Sequence, residues 1–387
     1  MSTSAAVYTR ELDSIAAGRD LGRQVQEQLG DPPDALVVFA SARFDYPALL
    51  TALRDTCQPK VIVGSSSAGE FTSDQRGEGT ACALAISAPE MRFAAGLGHG
   101  VQADRAGAAR DAVSGFRGLG QSEYAYHAAL VMTDALAGHA DDLIEQLTVL
   151  TAGTYQFAGG GAGDDARFAR THVFCGTEAH TDAVVALEML STRPIGVGVG
   201  HGWTPATEGL RVTESFGMRL ISLNGMPAAE AFEEHAEATG QVFSRQDPLP
   251  FFLHNILGID TAAGYRLRVP LSVQDDGAVM CAAEIPAGAS VRIMKTTSQS
   301  AIDAAAAATQ SAIKGLGGAK AGAAVFFDCV ATRLRMGDDF GFELDTVARA
   351  LGDAQFVGCN TYGQIARATG QFSGFHNCTA VLLVLPA

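Results

Sequence analysis

The side chains best placed for chemistry lie in one recurring loop. Phe356-Val357-Gly358-Cys359-Asn360-Thr361-Tyr362-Gly363-Gln364-Ile365 runs from an apolar stretch into small and hydroxyl residues. Val61-Ile62-Val63-Gly64-Ser65-Ser66-Ser67-Ala68-Gly69-Glu70 repeats the pattern, and Tyr155-Gln156-Phe157-Ala158-Gly159-Gly160-Gly161-Ala162-Gly163-Asp164 is a looser copy. Glycine tolerates positive φ and lets another group approach the backbone. A strand ending in such a loop offers N–H groups to a ligand. The candidate ligand-binding residues are therefore Gly64, Ser65, Ser67, Gly69 and Glu70, with Gly358, Cys359, Asn360, Thr361 and Gly363.

Catalysis has less to stand on, and no catalytic residue is assigned. The chain holds no Gly-x-Ser-x-Gly elbow and no His-Glu-x-x-His. The loop at 159–164 lacks the Lys-Ser/Thr pair of a phosphate loop. Cys359 near His376 would be the nucleophile of a Cys-dependent acyl or amide enzyme; a small structural thiol is the alternative. Asp164-Asp165, Asp275-Asp276 and Asp338-Asp339 read as solvated loop carboxylates, since two adjacent acids make no metal site.

The loops share a frame. Apolar runs at 35–40, 128–132 and 323–327 precede them and end in small or acidic residues: Ser41, Thr133-Asp134 and Asp328-Cys329. Helical periodicity fills the gap, as in Ala48, Leu49, Ala52, Leu53 and in Leu143, Ile144, Leu147, Leu150. Another apolar run follows each loop, at 82–86, 183–187 and 380–385. The spacing is too irregular for a solenoid. It predicts an α/β fold of repeated strand-helix-strand modules, with mixed β-sheets flanked by helices.

Composition narrows the class. A length of 387 residues fits two or three domains. Apolar residues make up 47% against 18% charged, which allows a large core and argues against disorder. The net charge is −15 with no basic stripe, which speaks against nucleic acid and anionic membrane as partners. No apolar run reaches the ~18–20 residues that span a bilayer. The start of the chain lacks a basic segment followed by an apolar one, so no signal peptide is read. Seven cysteines, an odd number without a Cys-x-x-Cys pair, fit reduced thiols in a cytoplasmic protein.

Along the chain, an amphipathic stretch at 12–29 is stopped by Gly30-Asp31-Pro32-Pro33. A strand is expected at 92–97 and an Ala-rich helix at 104–116. Residues 195–203 alternate with glycine, which leaves one face open to a backbone or a ligand. Asn224-Gly225 is a turn signal, and Pro227 can open the helix at 228–238. The domain change is placed at this turn. Residues 247–255 are apolar and broken by proline, a packed loop or lid. Strands recur at 265–269, 278–282 and 291–294, and an Ala-rich helix at 300–316. The expected segments are an N-terminal helix and linker (1–33), then domains at 34–224 and 225–387.

Four separate motifs agree in order with one family. Gly64-Ser65-Ser66-Ser67-Ala68-Gly69-Glu70, the Asn224-Gly225 turn, Leu257-Gly258-Ile259 before Tyr265-Arg266-Leu267-Arg268, and the 358–365 loop resemble the FIST sensory proteins. The resemblance covers about residues 34 to 385 and implies a FIST N-terminal and a FIST C-terminal domain. It implies intracellular ligand sensing. One branch binds haem, senses nitric oxide and controls a histidine kinase in a two-component system. Gly374-Phe375-His376-Asn377-Cys378-Thr379-Ala380 looks closest to that branch. No kinase or cyclase segment is read in this chain, so signalling implies a separate partner protein; association with a second copy is compatible with it.

If haem binds, one histidine should ligate it, because haem iron takes a neutral imidazole in an apolar pocket. His254 lies between Phe251-Phe252-Leu253 and Ile256-Leu257, His235 one turn after Phe232, and His376 beside Phe375. These three are the candidate iron ligands, His254 first. Covalent attachment is excluded, since no Cys-x-x-Cys-His occurs. The alternative is a FIST sensor of a small polar metabolite such as an amino acid, its carboxylate held by the loop N–H groups. Titration of the denatured, unreduced protein with a thiol reagent should find all seven cysteines; five or fewer would reveal a disulfide.

Overall fold

The computed structural model describes residues 2–120, 123–368 and 373–387. The first module holds β1 (Thr3–Thr9), α1 (Ser14–Leu29), β2 (Ala35–Ser41), α2 (Tyr46–Cys57), β3 (Ile62–Ser67), a hairpin of β4 (Glu70–Thr72) and β5 (Arg76–Gly77), and β6 (Ala81–Ser87). The second repeats it with β7 (Met91–His99), α3 (Arg105–Val113), β8 (Tyr126–Thr133), α4 (Ala140–Leu150), β9 (Gln156–Gly161), a hairpin of β10 (Val173–Cys175) and β11 (Glu178–His180), and β12 (Ala183–Ser191). The third opens with β13 (Gly196–Gly200) and is then interrupted. The insertion contains nine strands, β14 (Thr204–Pro205) to β22 (Ser290–Lys295), with α5 (Ala228–Thr239) and α6 (Leu249–Phe252). The module resumes with α7 (Ser298–Gly315), β23 (Ala321–Cys329), α8 (Val330–Met336), α9 (Phe340–Leu351), β24 (Gln355–Thr361), a hairpin of β25 (Gln364–Arg367) and β26 (Ser373–His376), and β27 (Ala380–Pro386).

The fold is α/β with mixed sheets. The pairs β2/β3, β8/β9 and β23/β24 are parallel, and β6, β12 and β27 run antiparallel beside them. No module completes its own sheet. The hairpin β10–β11 pairs with β3, β25–β26 with β9, and β4–β5 with β24. Strand exchange therefore runs in a circle through all three modules.

Period-two burial places the core. Val37, Phe39 and Leu84 of the first sheet meet Leu130, Met132 and Val185 of the second and Val325, Phe327 and Leu383 of the third in one shared cluster. The opposite faces are covered by helix pairs: α1 with α2, α3 with α4, α7 with α9. Long apolar β-branched runs read as strands because both faces are buried. The glycine-alternating strand β13 meets a helix rather than a ligand. A Cβ at Gly196 or Gly198 would overlap the Ala312 or Ala308 carbonyl of α7. The Ala-rich helix is the complement of that smooth strand.

One buried cation is among the contacts that hold the insertion to the body. Arg268, at the end of β19 (Gly264–Arg268), is fully buried and ion-paired with Asp141 in the first turn of α4. Its Nη1 donates to Phe375 O at 3.0 Å and its Nε to Glu284 O at 2.8 Å. Such a charge is tolerated only when paired and fully hydrogen-bonded. Asn224 lies within the insertion, at positive φ, between strands of one sheet. Residues 3–9, left without an element by the sequence pattern, form β1 on the edge of the first sheet.

Two loop glycines are fixed by sterics. A Cβ at Gly64 would overlap the Val38 carbonyl, and one at Gly358 would overlap the Phe326 carbonyl and the Phe71 ring. Gly358→Val is expected to destabilise the protein by about 3 kcal/mol or more, since neither obstacle can move without dismantling the sheet. Thermal unfolding of the variant checks this; an unchanged Tm would contradict it.

Candidate ligand site

The three glycine loops meet at one end of the shared core and bond to each other. Ala68 N donates to Asn360 O (2.9 Å), Tyr362 N to Gly161 O (2.9 Å) and Gly163 N to Ser66 O (3.0 Å). Return bonds run from Asn360 N to Gly69 O (2.9 Å), Gly161 N to Gly363 O (2.8 Å) and Ser66 N to His172 O (2.9 Å). This matched set makes Ser66, Gly161 and Asn360 equivalent positions. It also corrects the sequence expectation of free N–H groups: these donors are consumed in joining the modules. A buried amide must find a partner, and here the nearest partner is the next loop.

The predicted residues divide accordingly. Gly69 and Gly363 have φ of 130° and 118°, a backbone that disfavours side chains. Ser67 Oγ donates to Glu70 Oε1 at 2.5 Å, and Glu70 Oε2 accepts from Thr80 N (3.1 Å) and Oγ1 (2.7 Å). Burial pushes the Glu70 carboxyl up to about 7. Thr361 Oγ1 donates to Asp328 O at 3.1 Å. Cys359 points into the shared core, its thiol pushed well up by burial. That placement withdraws Cys359 as an accessible nucleophile. Ser65 is buried as well. Asp164 also differs from expectation. It is buried, and it accepts from Phe168 N (2.8 Å), Ala169 N (2.7 Å), Arg170 N (2.8 Å) and Tyr362 Oη.

Asn360 alone among the loop residues keeps unused hydrogen-bonding capacity at a cavity. It is 0% exposed, and neither its Oδ1 nor its Nδ2 has a partner. Leaving each buried polar atom unpaired costs about 1–3 kcal/mol. The amide sits in the wall of a cleft of about 610 Å³ between the β4–β5 hairpin, α8 and the start of α9. Arg76, Glu78 and Arg333 line it with Phe71 and Phe340, whose rings lie 5.8 Å apart. Arg333 is ion-paired with Glu78, and its Nε is a second buried donor without a partner. The cleft thus offers a neutral acceptor-donor pair beside two guanidinium groups and an apolar floor.

A buried acid pair lies close by. Asp328, at the end of β23, pairs across the sheet with Asn360, and Glu343 on α9 is buried with it, one oxygen of each carboxyl lacking a hydrogen-bond partner. Burial raises Asp328 to about 7, with Cys329 adding to it, and burial and the Asp328 charge push Glu343 well up. Burial and mutual repulsion of the two carboxyls both favour the protonated form. Sequence reasoning missed Arg76, Arg333 and Glu343. Glu343 had a visible signal: an acid between Phe340, Leu344 and Val347 on the buried stripe of α9.

Comparison with known proteins now decides the family. The description "FIST N domain" matches residues 34–226 and "FIST C domain" matches residues 228–367. The chain belongs to the FIST family. FIST domains are sensory domains. No curated protein matches this chain. Among solved structures, cyanuric acid hydrolase from A. caulinodans aligns over 100% of both chains at 7% identity with a TM-score of 0.33. PurL of T. maritima, complexed with AMPPCP, aligns over 100% of this chain and 72% of its own at 11% identity and a TM-score of 0.24. At those scores neither bears on this FIST chain's activity.

The histidines named for a haem branch of FIST proteins do not converge. His254 is exposed, which removes the burial that singled it out; the apolar side chains of its segment, Phe251 and Phe252, turn inward and leave it outside. His235 is buried on α5, its Nε2 3.1 Å from Asn255 Oδ1. His376 is buried on β26 and pushed down to about 3 by burial and by Arg268 and Arg266. None of the three lines the polar cleft or an apolar cavity of about 400 Å³ between the insertion and the body. Among the described residues, no group of three or more His, Cys, Asp or Glu could hold a metal. Neither of these two cavities therefore offers a haem pocket to these three histidines.

The acid pair yields a pH test. Both carboxyls lie above their unfolded values, so the folded state binds more protons and its stability falls as pH rises through their folded range. The Tm of the FIST protein should fall from pH 5 to pH 8. Glu343→Gln, which removes one of the two raised acids, should make that fall shallower; an identical slope in the variant would refute the role of the pair.

Proposed function

We propose that this FIST chain is a ligand-sensing signal-transduction protein whose ligand is a small zwitterion of the amino-acid class, bound in the Asn360 cleft. The supporting observation is the Asn360 amide, buried without partners in the cavity wall. A group with both an acceptor and a donor would satisfy it, and Arg76 and Arg333 suit a carboxylate beside it. Glu78 and Asp338 on the same lining suit an ammonium. This reading is of binding rather than catalysis. The proposed output is a partner protein in trans, a histidine kinase or another signalling protein, reached in the cytoplasm. Among the described residues no helix is long and apolar enough to cross a membrane.

The reading takes preference over the haem and nitric oxide reading because the three histidines lie away from both cavities. The colour of the purified protein separates the two: a Soret band near ~400 nm would restore haem. For the cleft itself, the test is a thermal-shift screen of amino acids on the wild type and on Asn360→Leu. Removing two unpaired polar atoms should stabilise the unliganded protein by about 1–3 kcal/mol. The same change should weaken any screened ligand at least tenfold. A variant less stable than wild type, or one that keeps its ligand, overturns the assignment.

A further inference from the structure

A second cavity, of about 400 Å³, lies where the insertion meets the three-module body. Leu249, Leu253 and Leu271 line it from the insertion, and Val330, Ala331 and Leu334 of α8 from the body. No Arg, Lys, His, Asp or Glu lines it. Two of its polar side chains are already engaged. Tyr362 Oη donates to Asp164, and Asn377 Oδ1 accepts from Val269 N at 3.2 Å. A ligand there would find no free hydrogen-bonding group on those two residues and would gain chiefly through apolar burial. Apolar cavities of this kind stay dry and take up apolar molecules.

The mouth carries the same message. Leu136, Phe168, Met218 and Leu334 all lie on the lining and are 36–43% exposed. Phe168 stands at a φ of 53° and stacks on Tyr362 with ring centroids 4.3 Å apart. Large apolar side chains gathered around one opening mark a binding site more than scattered ones do.

We propose that this cavity binds a neutral hydrocarbon chain, its polar end at the mouth. The volume holds roughly a dozen methylene-sized groups if each takes about 30 Å³. The site is distinct from the polar cleft and does not depend on how that cleft is read. Helix α8 separates the two: Arg333 faces the cleft, Ala331 faces the cavity, and Leu334 lines both.

Trp203, the single tryptophan, belongs to the same apolar cluster as Val269, Leu253, Cys329 and Ala331, and so reports on the cavity. The probe is 1-dodecanol, titrated below its solubility limit into the full chain. A saturable change in Trp203 emission is expected, with a matching rise in Tm. Ala331→Phe should fill the cavity and weaken binding at least tenfold, while Asn360→Leu should leave it within twofold. Should Ala331→Phe fail to fold, Ala282→Leu, from the opposite wall, decides. A non-saturating response, or wild-type affinity in the folded filling variants, overturns the proposal. Loss of dodecanol binding in Asn360→Leu would instead show that the two sites are one.

Discussion

Everything in this protein depends on the mutual hydrogen bonding of three glycine loops. The third loop exchanges bonds in both directions with the first and the second, and the second donates to the first, whose return bond goes to His172, so the ends of the three parallel strand pairs are tied in a closed circuit. The circuit works only if the backbones come together without side chains between them. That is why the repeated phrase is rich in glycine, serine and alanine. The same small residues that look like a ligand cradle serve the assembly of the modules first. Ligand binding is then left to the positions where the repeat departs from itself.

Those departures are concentrated in the third module. At the three equivalent positions stand Ser66, Gly161 and Asn360, and only the last keeps a side chain with two unused functions at a cavity wall. The second module follows its loop with an excursion folded around Asp164. The third alone has α8 after its first strand, and this helix brings Arg333 to the cleft. It also carries the insertion latched by Arg268. A near-symmetric frame supplies rigidity, and the departures from symmetry supply recognition. A buried polar group without partners is destabilising, and Asn360 combines two such atoms with a place in a cavity wall.

Much of the fold was legible because its strands are buried on both faces and its helices on one. The apolar runs at 35–40, 128–132 and 323–327, and the Gly phrase after each, predicted the modules directly. Strand exchange was not legible. Hairpins as short as Val173–Cys175 or Arg76–Gly77 carry no periodicity, and nothing local says whose edge they join. The site was half legible. Asn360 and Glu70 stood in the phrase, but their roles differ through burial and partners: Glu70 is saturated by Ser67 and Thr80, while Asn360 is not. Arg76 and Arg333 are distant in sequence and ordinary in context. Only the exchange of the β4–β5 hairpin onto β24 brings them together. His254 misled because an apolar stretch of sequence need not bury every member.

The circular exchange of hairpins has a kinetic consequence. The edge of β9 is covered by β25, some two hundred residues later, and the edge of β24 by β4, nearly three hundred earlier. Until the last module is made, β9 presents an unpaired edge and the β4–β5 hairpin has no sheet to join. Contacts of such sequence separation are slow to form, because the loop-closure entropy must be lost before they contribute. During synthesis the earlier modules therefore wait as incomplete sheets with open edges, the form most exposed to wrong pairing. A piece ending near residue 226 keeps that open edge for good.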